Sequence, residues 1–309
     1  VPGVAMDRDT VFEIMSITKI LTALLLTDMA QRGEVAFDDP LAKYLPSSVT
    51  LHATGRPVTL LDLATYRSGL PNMPGGLAPD WYQRPNPLRD YTQENLHAFL
   101  SGMVPKYAPG AHYQYDNLGF GLLGIALARR AGMSYEQLLV ERVCDPLGLA
   151  HTRITPTGEM QRHLMQDHDL DLKPFPLWQA PAMPGLGSGR STASDLATFL
   201  KACLGLSHTP LSGALARLTQ TRGSTTLAGT DAALAWFVTS DGGEEIVWKS
   251  GLSNGCNSFI GYSPQRRRGA IVLSNFIWRP IDSGTINIGM KAIKPDFHAM
   301  DFTPLYLRA

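Results

Sequence analysis

The chain has 309 residues, enough for one large domain or two modest ones with a substantial buried core. Lys plus Arg is 27 and Asp plus Glu is 27, so the formal net charge is zero and no basic face for nucleic acid is implied. Charged residues make up 17% and hydrophobic residues 44%, which argues against a disordered chain, and no apolar run approaches the roughly 18 residues of a membrane helix.

Gly 29 and Pro 22 point to many ordered loops rather than a helical bundle. Cys144, Cys203 and Cys256 form no C-x-x-C pair and read as buried small hydrophobes, not a disulfide framework. The chain begins at Val1 rather than Met, which leaves room for a removed upstream segment.

In chain order, residues 10–15 read as extended, and 17–32 as a helix apolar nearly all round, the pattern of a helix buried in mid-domain, with Gly33 as its C-cap. A short helix is predicted over 59–66, with Thr59 as N-cap and Asp62 in the first turn. Residues 71–90, rich in Pro, Gly and Asn, read as a long surface loop of the kind that often carries function. Helical patterns return near 93–102, 117–131 and 134–143, and 151–190 is mostly irregular. A further helix is predicted over 191–204. The last third changes character: short β-rich runs at 234–240, 245–249, 256–262 and 270–273 are separated by turn residues, the pattern of an antiparallel meander, with a covering helix at 281–294. Helices first and strands later predict an α+β protein, a helical lobe against an antiparallel sheet.

Three short motifs carry chemistry. Ser16-Ile17-Thr18-Lys19 places a serine where an extended segment becomes the buried helix, and positions three apart share a helix face. A serine hydroxyl needs a nearby base, and a lysine held against apolar core loses its charge more readily. The helix start adds N–H groups suited to a developing oxyanion. The second motif is Tyr115-Asp116-Asn117, where a phenol beside two ammonium groups can be driven toward phenolate and serve as a general base. The third, Lys249-Ser250-Gly251, ends a strand with a lysine, and its glycine permits close approach of another backbone or a substrate. Taken singly, each motif also reads as ordinary structure: an N-cap serine, a core tyrosine, an edge-strand lysine.

In order and character, S-x-x-K, Y-x-N and K-[TS]-G together resemble the serine β-lactamase and penicillin-binding-protein superfamily, in its class C β-lactamase-like branch. That branch includes D-Ala-D-Ala peptidases and family VIII carboxylesterases. Residues 60–71, 184–196 and 249–262 resemble further family stretches, so the similarity runs from about residue 10 to 275. The resemblance implies an α+β, β-lactamase/transpeptidase-like fold: one unit over 1–309, with a sheet lobe of 1–50 and 190–309, a helical lobe of 51–189, and the active site between them. Family members carry several tens of residues before the first motif, with two strands and a helix, whereas fifteen precede Ser16, so N-terminal strands are expected to be missing here.

Carried over residue by residue, the resemblance implies that Ser16 is the acylated nucleophile and that Lys19 and Tyr115 share proton transfer, in an order the sequence leaves open. It implies that Asn117 contacts the acyl side chain, that Lys249 supplies positive charge to Tyr115 and to a substrate carboxylate, and that Ser250, Gly251 and Leu252 border the substrate, with the N–H groups of Ser16 and Leu252 as oxyanion hole. Gln83, in the long loop, is a further candidate contact; Met73, Trp81, Tyr82, Trp178 and Trp236 are candidates to line the cleft, with core packing as the default reading. The implied reaction is hydrolysis of β-lactam amides or D-amino-acid peptides through an acyl-enzyme, with no metal or organic cofactor, by a periplasmic or secreted bacterial protein. The alternatives are a carboxylesterase, for which a cytoplasmic location also fits, and a β-lactam-binding sensor that acylates without turnover. The retained basic residue Lys249 favours substrates bearing a carboxylate.

Two competing patterns are weaker. The 251–255 stretch matches the G-x-S-x-G nucleophile elbow, but a strand rather than a helix is predicted after Ser253. His163, Asp167, His168, Asp169 and Asp171 cluster locally without a recognised metal spacing and read as a solvated loop.

Overall fold

A computed structural model describes residues 6–77, 84–277 and 283–306. The chain opens with β1 (Val11–Glu13), a tight turn, and α1 (Thr18–Gln31), whose residues are buried on every side from Thr18 to Met29. Such a helix needs cover all round, and it is packed by α4 (Asn117–Ala131), α9 (Ser212–Arg217) and the turn at Pro184–Leu186. Between α1 and α4 run α2 (Leu60–Ala64) and α3 (Gln93–Gly102). Thr59 caps α2 and Thr92 caps α3, each in a reciprocal capping box, with Asp62 and Asn95 respectively.

After α4 come α5 (Tyr135–Leu139), α6 (Asp145–Leu147) and α7 (Gly158–Arg162), and a small hairpin of β2 (Asp167–His168) with β3 (Pro174–Phe175). β4 (Arg190–Thr192) pairs antiparallel with β1 and leads directly into α8 (Ala193–Cys203). The predicted helix therefore starts two residues late: Ser191 and Thr192 are strand, and Thr192 is the helix cap, its hydroxyl accepting from Asp195 N–H.

Among the described residues the main sheet has six antiparallel strands in meander order, β10-β9-β8-β7-β6-β5. They are β5 (Gly223–Ser224), β6 (Thr230–Ala232), β7 (Phe237–Asp241), β8 (Glu244–Leu252), β9 (Asn257–Ser263) and β10 (Arg268–Ser274). The Gly242–Gly243 link has φ of 60° and 81°, which matches the sheet twist in a two-residue hairpin. The predicted strand at 234–240 begins later, at Phe237, because 232–236 make a tight turn in which Ala233 N–H donates to Trp236 O (2.8 Å). Every residue of β9 is buried, and α8 and α10 (Ser283–Ile293) both pack on β9 and β10. Among the described residues no helix is long and apolar enough to cross a membrane.

Candidate active site

Three segments converge at one cleft: the turn before α1, the start of α4, and the end of β8. Ser16 sits in the turn, half-buried, after Met15, whose φ is +46°. Methionine rarely adopts this left-handed region, and surrounding structure must enforce it. Thr18 Oγ1 donates to Met15 O (2.6 Å) and accepts from Gly189 N–H (2.9 Å), while Ser258 Oγ donates to Ile14 O (2.9 Å). Gly251 closes the grip. A Cβ there would lie 2.5 Å from Ile14 O and 2.8 Å from Met15 Cβ, so only glycine lets β8 approach the turn this closely.

Lys19 lies one turn into the buried helix and is 0% exposed. Its Nζ reaches Ser16 Oγ (2.9 Å), Asn117 Oδ1 (2.7 Å) and Leu186 O. Burial, reinforced by the charge of Lys249, holds the Lys19 ammonium well below the usual lysine range, with Asp116 pulling weakly the other way. Tyr115 OH also donates to Ser16 Oγ (2.8 Å). The Tyr115 ring stacks on Tyr66 (5.1 Å, 19°), which is itself fixed by donating to Ala235 O (2.9 Å). Lys249, also 0% exposed, donates to Tyr115 OH (3.3 Å) and to Ser250 O (3.1 Å).

Asp116 turns the chain between Tyr115 and Asn117. It is fully buried, caps α4 by accepting from Gly119 N–H (2.6 Å), and accepts from the Ser68 hydroxyl. Burial pushes its carboxyl up to about 7, against the pull of those two donors. Asn117 is braced by Asn72: its Nδ2 donates to Asn72 Oδ1 (2.8 Å) and its N–H to Asn72 O (3.0 Å). Nothing in the local sequence around Asn72 marks it, because its role arises only from tertiary contact with α4.

The cleft, about 270 Å³, is lined by Ser16, Tyr115, Asn117, Ser250 and Leu252, with Met73 and Trp178 contributing apolar wall. Trp236 does not reach it. That ring is 0% exposed and lies in the core against Phe199 and Tyr262. Gln83, Trp81 and Tyr82 lie outside the described residues. Tyr306, from the far C-terminal segment, joins the cleft unannounced by any motif. Ser253 Oγ accepts from the N–H groups of Gly255 (3.0 Å) and Cys256 (3.1 Å) within its own turn, and β9 follows, so the strand–turn–helix of a nucleophile elbow is absent there.

The expected solvated cluster at 163–171 is corrected at Asp167. Its backbone pairs with β3, and its side chain is 1% exposed, turned inward toward Glu13 and Cys256. The carboxyl oxygens and thiol of these three lie within 4.8 Å of one another. Glu13 is already engaged by Arg190 (2.7 Å) and by Trp178 N–H (3.0 Å), which leaves it poorly placed to ligate a metal as well. Burial, with the Glu13 carboxyl second, pushes Asp167 up to about 8, well above the usual carboxylate range.

The beta-lactamase family profile matches residues 2–276. The D-alanyl-D-alanine-carboxypeptidase/endopeptidase AmpH of Escherichia coli K12 is 32% identical over 280 residues, spanning 86% of this chain and 71% of that protein. Among solved structures, the beta-lactamase/D-alanine carboxypeptidase of Yersinia pestis complexed with citrate superposes with a TM-score of 0.79 at 25% identity, covering 94% of this chain and 85% of the other. The corresponding protein from Pseudomonas syringae has a TM-score of 0.81 at 22% identity, covering 96% and 87%, and shares the fold.

Proposed function

This chain belongs to the beta-lactamase family, and we propose that it is a serine hydrolase in which Ser16 forms an acyl-enzyme with β-lactam amides or with peptides ending in a D-amino acid. One observation carries the reading: Ser16 Oγ lies within hydrogen-bond reach of both Lys19 Nζ, at 2.9 Å, and Tyr115 OH, at 2.8 Å.

A neutral Lys19 fits its surroundings atom by atom. Nζ donates to Ser16 Oγ, Asn117 Oδ1 and Leu186 O; on loss of one proton, two N–H bonds stay on the carbonyl oxygens and the lone pair is left for the Ser16 hydroxyl. Lys19 is thus the acceptor of the Ser16 proton as Oγ bonds to the substrate carbonyl carbon. The N–H groups of Ser16 and Leu252 receive the oxyanion. Tyr115 then gives its phenolic proton to the leaving amine as the C–N bond breaks, and the nearby ammonium of Lys249 stabilises the phenolate that results. Deacylation then closes the cycle with the roles exchanged: water gives a proton to the Tyr115 phenolate as it attacks the acyl carbon, and Lys19 returns its proton to Ser16 Oγ as the ester C–O bond breaks.

Lys249 and Ser250 favour a substrate with a carboxylate beside the scissile bond, and the Asn117 amide faces the acyl side chain. Gly251 lets β8 border the cleft next to the nucleophile. Such substrates belong to the bacterial cell wall and its inhibitors, so the periplasm or cell exterior is the proposed compartment. The test is a panel with purified protein: a chromogenic cephalosporin, a D-Ala-D-Ala peptide and p-nitrophenyl acetate. Sustained turnover of either of the first two supports the proposal. A single stoichiometric burst identifies a sensor, and turnover confined to the ester identifies a carboxylesterase.

A further inference from the structure

The family match ends at residue 276, yet one wall of the cleft comes from beyond it. After α10 the chain returns to the sheet, and the segment 302–306 is firmly seated. Phe302 and Leu305 are 0% exposed. The Phe302 ring meets Trp248 edge-on (4.9 Å, 68°), Tyr113 OH donates to Leu305 O (2.9 Å), and Thr226 Oγ1 donates to Pro304 O (2.6 Å). This anchoring delivers Tyr306 to the active centre. Its ring meets Tyr115 edge-on (4.9 Å, 70°), the Lys249 ammonium lies 5.6 Å from its centroid, and its hydroxyl is 2.7 Å from Ser250 Oγ.

We propose that Tyr306 is a specificity-determining residue: with Ser250 it forms a hydroxyl pair that receives the substrate carboxylate, and its ring limits the group bearing that carboxylate to a small one such as a terminal D-alanine. The inference rests on the acyl-enzyme reading above, but the two are separable. Either hydroxyl of the pair can donate to the other. Whichever accepts can turn its own hydrogen to an incoming anion, and the buried charge of Lys249 sets the sign of the ligand at this end of the cleft. A hydrogen bond to a charged group is worth roughly tenfold or more in affinity. The Tyr306 and Tyr115 rings pack edge-to-face and both line the cleft, so a larger side chain next to the carboxylate would have to displace Tyr306.

The experiment has two arms. In the first, Ser16→Ala protein and Ser16→Ala/Tyr306→Phe protein are titrated with N-acetyl-D-alanine and with N-acetyl-D-alaninamide by calorimetry. Tyr306→Phe should weaken the acid roughly tenfold and leave the amide within about twofold. In the second, Tyr306→Ala in the active protein should narrow the preference for peptides ending in D-alanine over D-leucine, through KM rather than kcat. Equal losses for acid and amide, or an unchanged D-alanine preference in Tyr306→Ala, overturn the proposal. Loss of the acyl-enzyme reading shows separately, as absence of a penicillin adduct on the wild-type protein while acid still binds better than amide.

Discussion

Two buried ionisable clusters flank the same short stretch of chain and differ in what they face. On one side of the turn, Lys19, Tyr115 and Lys249 converge on Ser16 beside an open cleft. On the other, three residues earlier, Glu13 meets Arg190, Asp167 and Cys256 inside a sealed interior. Burial displaces proton affinities in both: Lys19 downward, Asp167 upward. A displaced proton affinity therefore does not by itself mark a catalytic group. What separates the clusters is a nucleophile within hydrogen-bond reach and a route for substrate. The acidic cluster's thiol, Cys256, is buried, burial raises its proton affinity well above the usual thiol range, and none of Glu13, Asp167 and Cys256 lines the cleft. The cluster ties β1 to β4 through the Glu13–Arg190 pair and so supports the turn from behind.

The contrast is broken most severely at the serine. Ser16→Ala should abolish the covalent penicillin adduct seen by intact-protein mass spectrometry and lower hydrolysis by roughly 10⁴-fold or more, while Ser253→Ala keeps the adduct. An adduct persisting in Ser16→Ala would move the site elsewhere. Next comes the phenol. Tyr115→Phe should slow turnover by roughly 10² to 10⁴-fold, since it removes the acid for the leaving group. Because the lowered Lys19 must be neutral to act as base, kcat/KM should rise with pH on the acidic limb and level off well below the normal lysine range. A rate falling across that limb would refute Lys19 as base.

The smallest effect belongs to the sealed cluster. The folded protein keeps the Asp167 proton up to about pH 8, whereas an unfolded aspartate loses it near 4. The folded state thus holds the extra proton between these limits, and this group's contribution to stability declines as pH rises from about 4 to about 8. Asp167→Asn should remove that decline, so its Tm should gain on the wild type across the window, with hydrolysis within about twofold. A Tm difference independent of pH would show that Asp167 is charged in the fold.

Much of the site was legible because its chemistry is written in local strings. Ser16 and Lys19 lie one helical turn apart, and the 17–32 pattern already demanded a buried helix. Pairing Tyr115 with Lys249, 134 residues away, rested on resemblance, since no local rule connects them. Asn72, the Leu186 carbonyl and Tyr306 escaped because each acts through a contact that exists only after folding. The fold was misread where apolar content outweighed turn chemistry. Residues 232–236 are all buried, and Ala235 has a φ of +65° without a glycine to signal the reversal. Asp167 was misread for the converse reason: a charged residue among charged neighbours suggests solvent, and only the β2–β3 hairpin turns it inward.

The bond from Ser258 to Ile14 spans 244 residues, and the glycine that seats β8 against Met15 comes only seven residues earlier. The reactive hydroxyl thus leaves the ribosome about 240 residues ahead of the strands that hold its turn in a left-handed bend. Until they dock, the Met15 turn lacks the contacts from Gly251 and Ser258 that hold it. Maturation of the catalytic centre thereby waits on β8 and β9, and a chain that stops before them lacks the grip on its nucleophile turn.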